Sequence, residues 1–375
     1  MLRHSTLILL LTFAIVLIQS KKVTISNIKP RLNQWGSILD AHDGCILKFD
    51  PKGPYYTYAT QYGPCIEPKR WGCDKTEDSC GFKYNHNITV VETYDFVNWK
   101  VVGSAVEISK RPEGTVFRPH AIYNKNNKKY VLWWNYVTTT GKYNGFAAAT
   151  SDSPIGGFKT QVVQVNNTQQ PAGDFTLFAD EDGSGYAIIS ANYKIGIELL
   201  TPDYLASTGR QAECNPGAAD PRFFPDYFVE APVMFKRKNI YYVLFGSCCC
   251  FCQQGSGVIV YTAPHPMGPW KRQPGPDLAC VPTNGTIIGN GEPTPGHGCQ
   301  YTNPKTTSTL RAQQNHIVEV DTPNGKEYIW TGDRWQQAPD GIKAHDPQTW
   351  VPLKFGEDGS VLPITWVDEF EIDVL

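Results

Sequence analysis

Charge is scarce in this chain. Of 375 residues 19% are charged, and 34 Lys and Arg against 36 Asp and Glu leave a formal net charge of −2. Nothing in that balance builds the basic surface that nucleic acid or an acidic membrane requires, so both are excluded as partners. Long apolar runs are equally rare. Only residues 7–18, after the basic start Met1-Leu2-Arg3-His4, are nearly all apolar, and they fall short of the roughly 20 residues that span a bilayer comfortably. With small residues at Ile18-Gln19-Ser20 before Lys21-Lys22, residues 1–20 read as a secretory signal peptide, an uncleaved signal anchor being the other reading. The expected product is secreted and extracellular. No linker divides residues 21–375, which read as one domain and a monomer, and no helix of convincing period occurs there.

What is abundant suits that compartment. Eleven cysteines in an exported chain favour disulfides over metal sites. Cys65, Cys73 and Cys80 can staple one long loop; Cys248-Cys249-Cys250 and Cys252 crowd another stretch, and Cys280 and Cys299 flank a Gly/Pro-rich excursion. The crowded cluster lacks the interleaved ligands of zinc motifs, so no metal and no cofactor is expected. An odd count leaves an unpaired thiol or an intermolecular bridge, with Cys45 the candidate for the free thiol. Three acceptor sequons, at Asn87, Asn166 and Asn284, are expected on glycosylated surface loops.

A repeated phrase organises the rest. An apolar strand, a short polar turn and an aromatic strand recur five times. Ile46-Leu47-Lys48-Phe49 leads to Tyr55-Tyr56-Thr57-Tyr58, Ala121-Ile122-Tyr123 to Tyr130-Val131-Leu132-Trp133-Trp134, and Phe175-Thr176-Leu177-Phe178 to Tyr186-Ala187-Ile188-Ile189. Val233-Met234-Phe235 leads to Tyr241-Tyr242-Val243-Leu244-Phe245, and Ile317-Val318-Glu319-Val320 to Tyr328-Ile329-Trp330. The turns carry Asp182-Gly183, Asn324-Gly325 and similar pairs, which tolerate the positive φ of tight hairpins. Radial repetition of five such units predicts an all-β, five-bladed β-propeller. Further strands are expected at 88–94, 99–106 and 258–261. Segments 350–355 and 365–367 should complete the last blade or pair with the first to close the ring.

A propeller brings the inner strand of each blade to one axis. Asp43 precedes the first inner strand, and Asp174 and Glu230 stand at corresponding points of the third and fourth. A carboxyl among apolar and like-charged neighbours has its pKa raised and can deliver a proton near neutral pH. A second carboxylate across the pocket can activate water, and that pair is the machinery of glycoside hydrolysis. A glycan or oligosaccharide is therefore the expected partner, in keeping with 12% aromatic residues, since sugar faces stack on rings. Taken singly, each acidic residue beside a strand is more commonly a solvated or capping group.

The chain resembles glycoside hydrolase family 43, and most of all its exo-β-1,3-galactanase-like branch. The matching segments are Ala41-His42-Asp43-Gly44-Cys45-Ile46-Leu47, Thr93-Tyr94-Asp95-Phe96-Val97-Asn98-Trp99, Phe117-Arg118-Pro119-His120 and Asp174-Phe175-Thr176-Leu177-Phe178-Ala179-Asp180. Glu230-Ala231-Pro232-Val233-Met234-Phe235 and Gly332-Asp333-Arg334-Trp335 complete the series in family order. The resemblance implies an inverting exo-glycosidase removing β-1,3-linked galactose. It makes Glu230 the general acid, Asp174 the residue that tunes it, and Asp43 the general base, with Gln313 as a second water-holding group. Substrate contacts fall to Gln313, Arg334, His42, Arg118 and Trp335. His42 and His316 read otherwise as satisfied core histidines, contact with an axial ion or water being the alternative. The chain departs from the branch at Phe117, where a Glu is usual, and at His120, where a Lys is. Asp346, in His345-Asp346-Pro347, looks like the base motif but is expected on an outer loop. An α-L-arabinofuranosidase or β-xylosidase of the same family, and a secreted non-catalytic carbohydrate-binding propeller, are the competing readings.

Overall fold

In the computed structural model, residues 20–67, 80–192, 194–215, 229–247, 255–274, 278, 280–282, 306–308 and 310–375 are described. They form five antiparallel meanders around one axis, the expected propeller. Each predicted hairpin is the inner pair of a blade. Blade 1 is His42–Lys48, Tyr55–Gln61, Asn87–Thr93 and Lys100–Ser104. Blade 2 is Gly114–Asn124, Lys129–Thr138, Asn144–Ser151 and Lys159–Val162. Blade 3 is Ala172–Ala179, Gly185–Ala191, Lys194–Leu200 and Ser207–Glu213. Blade 4 is Val229–Arg237, Ile240–Ser247, Ile259–Ala263 and Lys271–Arg272. Blade 5 is Gln313–Thr322, Gly325–Asp333 and Gln348–Pro352. The apolar faces of neighbouring sheets form the core: Val131, Trp133 and Phe146 of blade 2, for instance, pack against Phe175, Ala187 and Ile189 of blade 3.

The seam between blades 5 and 1 is filled by a ribbon of two terminal strands. Lys21–Ser26 pairs antiparallel with Glu369–Val374, from Lys21↔Val374 to Ser26↔Glu369. Val23, Ile25, Ile372 and Val374 pack with Ile46, Val91 and Trp99 of blade 1 and Val318, Ile329 and Trp350 of blade 5. Burial of that apolar surface on both sides of the seam is what fastens the ring. Asn27 extends the ribbon: its amide donates to the Trp350 carbonyl and accepts from the Trp350 N–H, both at 2.8 Å. The expected strand at 365–367 is irregular chain instead, since the strand that pairs with Lys21–Ser26 begins two residues further on, at Glu369.

Cys65 and Cys80 form a disulfide, and Cys45 is a buried free thiol, as expected. Cys73, Cys248, Cys249, Cys250, Cys252 and Cys299 lie outside the described residues, as does Asn284. Asn87 corrects the expectation that sequons sit in loops. It opens the third strand of blade 1 and its amide donates to Gln61 Oε1 at 3.0 Å. Asn166 lies exposed between blades 2 and 3.

Candidate active site

A bulge interrupts the inner pair of every blade. Register shifts fall between His42 and Cys45, Phe117 and His120, Ala172 and Phe175, Glu230 and Val233, and Gln314 and His316. A bulge re-aims side chains and steepens local twist, and five at one level turn a ring of strands into a ring of inward-facing residues. Asp43, Arg118 and Ala231 each begin a bulge with positive φ, of 65°, 47° and 53°. Non-glycine residues in that region are strained and persist only where surrounding contacts over-determine them. Gly44 follows from the same geometry, because a Cβ there would stand 1.8 Å from the Tyr58 carbonyl oxygen. The three acidic residues are not strictly equivalent: Asp43 begins its bulge, Asp174 ends one, and Glu230 precedes one.

Arg118 is the hub. It is buried, and its guanidinium lies 2.9 Å from Asp174 Oδ1 and 3.4 Å from Asp43 Oδ1. A third nitrogen donates to the Gln314 carbonyl at 3.3 Å. Burial works against its charge, but Asp174, Asp43, Glu230 and Asp333 together outweigh that and hold the guanidinium firmly protonated. Asp174 is pushed the other way, up to about 7, by burial, with Glu230 and Asp43 adding like charge against the pull of Arg118. Asp43 also accepts from the Arg118 N–H at 3.1 Å and from the Tyr62 hydroxyl at 3.3 Å.

Blade 5 wires these groups together. Gln313 donates to Asp174 Oδ2 at 3.3 Å and accepts from Trp335 Nε1 at 2.8 Å. Gln314 donates to the Ala231 carbonyl at 2.7 Å, beside Glu230. Asn315 donates to Asp333 Oδ2 at 2.7 Å. Asp333, fully buried, accepts from the Asp43 N–H at 2.6 Å and meets His42 Nδ1 at 3.2 Å. Consecutive amides thus tie blade 5 to blades 3 and 4 and, through Asp333, to blade 1.

Asp43, Asp174, Arg118 and Gln313 therefore come together at the axis, with Glu230 close enough to shift Asp174 and Arg118. The other expected site residues stand differently. His42 uses both ring nitrogens within the protein, on Asp333 and on the Ala344 carbonyl at 3.1 Å. Burial lowers its pKa, but Asp333, then Asp40 and Asp346, raise it to about 9, so it is a charged core histidine. Trp335 is fully buried against His42 and Tyr62 and acts through Gln313 instead of offering a face to sugar. Arg334 donates to Gln337 at 3.0 Å and lies over the Trp366 ring, while Asp43 and Asp174 pair with Arg118. His316 and His120 lie one level down the axis with ring centroids 5.1 Å apart. Each accepts a backbone N–H from another blade, from Ile46 and Leu177 respectively, and burial holds His316 neutral, at about 3. Asp346 is buried instead of lying on an outer loop, and accepts N–H bonds from Gln336, Gln337 and Ala338.

Asp333 and Tyr62 are the residues that sequence reasoning missed. Asp333 sits in Gly332-Asp333-Arg334-Trp335, where the pattern drew attention to its neighbours. A carboxylate flanked by Trp330 and Trp335 was the available signal. Tyr62 directly follows the second strand of blade 1 and is held there by its N–H, which donates to Asp40 Oδ1 at 3.0 Å. Lys343, fully buried, lies over the Tyr62 and Trp335 rings and pairs with Glu67 at 3.2 Å.

A five-bladed propeller with carboxylates from three blades around a buried arginine defines the architecture of a propeller glycosidase. The family model of glycosyl hydrolases family 43 matches residues 41–330, and the chain belongs to that family, as the resemblance implied. A curated relative, the β-D-galactofuranosidase xynD of Aspergillus niger, is 25% identical over 239 residues, 63% of this chain and 58% of its own length. Among solved structures, the family-43 β-1,3-galactosidase BT0265 superposes with a TM-score of 0.66 at 22% identity, covering 94% of this chain and 64% of its own. The exo-β-1,3-galactanase 1,3Gal43A of Clostridium thermocellum gives 0.66 at 22%, with 93% and 67% covered. The chain thus spans less than two thirds of the first two of these relatives, and the structural likenesses speak for the fold.

Proposed function

We propose that the protein is a secreted, inverting exo-glycosidase that removes terminal β-1,3-linked galactose. Glu230 protonates the departing glycosidic oxygen. Asp43, with Gln313 beside it, takes a proton from the water that attacks the anomeric carbon from the other face. Asp174 keeps a negative or proton-bearing group next to Glu230 and orients the sugar, and Arg118 fixes Asp174 and Asp43 relative to one another. The observation that carries this reading is the buried Arg118 pairing with both Asp43 and Asp174 within the field of Glu230. Carboxylates from three blades then share one pocket, where a binder has no chemical need for their mutual repulsion. The galactosidase and galactanase neighbours support galactose as the sugar, and the Cys65–Cys80 disulfide supports an oxidising compartment.

The β-D-galactofuranosidase relative favours one second reading, a furanosidase. Incubating the protein with β-1,3-galactan oligomers and a panel of aryl pyranosides and furanosides separates the two. Galactose should be released one residue at a time, first as the α-anomer. Glu230→Gln should lose about 10²–10⁴ in rate, the usual worth of a general acid. Unchanged turnover by that variant on every cleaved substrate would sink the assignment.

A further inference from the structure

We propose that a groove on the outer side of blade 1, away from the axial site, is a second, non-catalytic binding site for a neutral glycan chain. Its volume is about 990 Å³, at the top of the roughly 300–1,000 Å³ that ligand clefts occupy. It runs between the strand Lys21–Ser26 with the loop that follows and the turn joining the third and fourth strands of blade 1. None of its lining residues belongs to the axial pocket.

Both walls are held in place. Gln34 mimics a strand neighbour, its amide donating to the Val101 carbonyl at 3.2 Å and accepting the Val101 N–H at 2.8 Å. Asp95 fastens the opposite turn by accepting N–H bonds from Val97 at 3.0 Å and Asn98 at 2.8 Å. On these rigid supports stand large apolar side chains turned to solvent. Trp35, between the lining residues Gln34 and Gly36, is 71% exposed and Tyr94 is 64% exposed, and Leu32 and Val97 are exposed in the same lining. Exposed apolar side chains gathered along one groove, Leu32, Tyr94 and Val97 in its lining and Trp35 between two lining residues, mark an interaction site.

Charge selects the class of occupant. The lining carries Lys29, Arg31 and Lys100 against Glu92, Asp95 and Glu369, three of each sign. Most are already spent, Lys100 on Glu92 at 2.7 Å, Lys29 on Glu369 at 3.3 Å and Asp95 on Lys21 at 2.5 Å. With the three acids paired, an acidic lipid, a nucleic acid or a charged peptide would find a single buried cation, Arg31 over the Trp350 ring, instead of a charged surface, whereas a neutral ligand loses nothing. Arg31 is the exception: Nε and Nη2 are buried donors without an acceptor among the described residues, and hydroxyl oxygens supply acceptors of the kind they lack. Aromatic faces with a few unsatisfied donors and no net charge match a sugar polymer.

The test is affinity electrophoresis of the full chain in gels containing β-1,3-galactan, laminarin, xylan or arabinan, with Glu230→Gln as background so that the polymer persists. Galactan as the first probe rests on the proposed activity. Retention by at least one of these glycans is expected, with apparent Kd weakened at least tenfold by Trp35→Ala/Tyr94→Ala. In the otherwise native chain, the same double variant should leave kcat/KM on a disaccharide within twofold and slow release from the polymer. Equal retention of both chains, no retention by any neutral glycan, or a concentration-dependent dimer abolished by the double variant would each overturn the proposal. Retention through Trp35 and Tyr94 by a chain that hydrolyses nothing would refute the proposed activity and leave this site standing.

Discussion

Asp333 is fully buried, yet the geometry makes it the residue on which Asp43 depends. Replacing it with Asn keeps the volume and removes the charge. Three donors converge on the carboxylate: the Asp43 N–H at 2.6 Å, Asn315 Nδ2 at 2.7 Å and His42 Nδ1 at 3.2 Å. An Asn side chain offers one acceptor oxygen and turns an NH₂ toward whichever donor remains. At least one buried donor is then unpaired, which costs about 1–3 kcal/mol, and His42 loses the partner that most favours its charge. The expected loss is therefore about 2–4 kcal/mol in urea unfolding at pH 7, larger than an exposed substitution gives. Because Asp43 is held at φ 65°, releasing its N–H lets the bulge relax, and a shift of about 1 Å at a reacting group can cost 10²-fold in rate. The second readout is His42, whose titration by NMR should fall from about 9 in the native protein. An Asp333→Asn protein with native urea midpoint, native kcat/KM and an unshifted His42 would refute the reasoning.

Asp174 makes the sign of a pH effect explicit. Its pKa rises from 3.8 to about 7 on folding, so between those values the native state holds a proton that the unfolded chain releases. Stability therefore falls as pH rises through that window, at up to about 1.4 kcal/mol per pH unit and about 4 kcal/mol in all. Asp174→Asn should flatten that slope, and parallel unfolding curves for the two proteins from pH 4 to pH 8 would contradict it. Arg118→Met removes a buried cation from its partners and should cost about 3–5 kcal/mol at pH 8. The loss should be smaller at pH 5, where Asp174 carries its proton; equal losses at both pH values would rule out the ion pair as the cause.

The propeller was legible because hairpins are local. Asn324-Gly325 and Asp182-Gly183 announce turns, and alternating apolar runs beside them announce paired strands, so all five inner pairs could be read in order. The ends were less legible. Segment 365–367 has a strand-like composition, but the pairing that makes a strand depends on Lys21–Ser26, more than 300 residues away. The bulges were not legible at all, since an extra residue in a strand leaves no compositional trace; only the register shows that Arg118 enters the axis beside Asp43. His42 and Trp335 were found for the right neighbourhood and the wrong contact. Whether a ring faces sugar or supports another side chain depends on burial, which sequence spacing does not carry.

The charge inventory at the axis explains why one proton has to reside there. Asp43, Asp174 and Glu230 share one cation, Arg118, while Asp333 has the charged His42 and lies in the field of Arg31. Fully ionised, such a pocket would hold two uncompensated negative charges in surroundings that screen them poorly, and like carboxylates in one site do not all ionise together. Asp333 is the member whose charge is best satisfied, because three donors point at it. Asp43 has Arg118, the Arg118 N–H and Tyr62. Asp174 shares Arg118 with Asp43 and, among the described residues, receives besides only the 3.3 Å amide of Gln313, so the proton that relieves the repulsion settles on Asp174. On the proposed roles that is the side of the leaving group. The arrangement keeps an exchangeable proton opposite the water-activating carboxylate at a pH where free carboxylic acids would have lost theirs. A neutral sugar that excludes water from the pocket weakens screening further and strengthens that preference, so substrate binding should itself take up a proton. Calorimetric titration of Asp174→Asn and native protein with a galactose-type inhibitor in buffers of different ionisation enthalpy measures that uptake. The native protein should bind a fraction of a proton near pH 7, and Asp174→Asn should bind none.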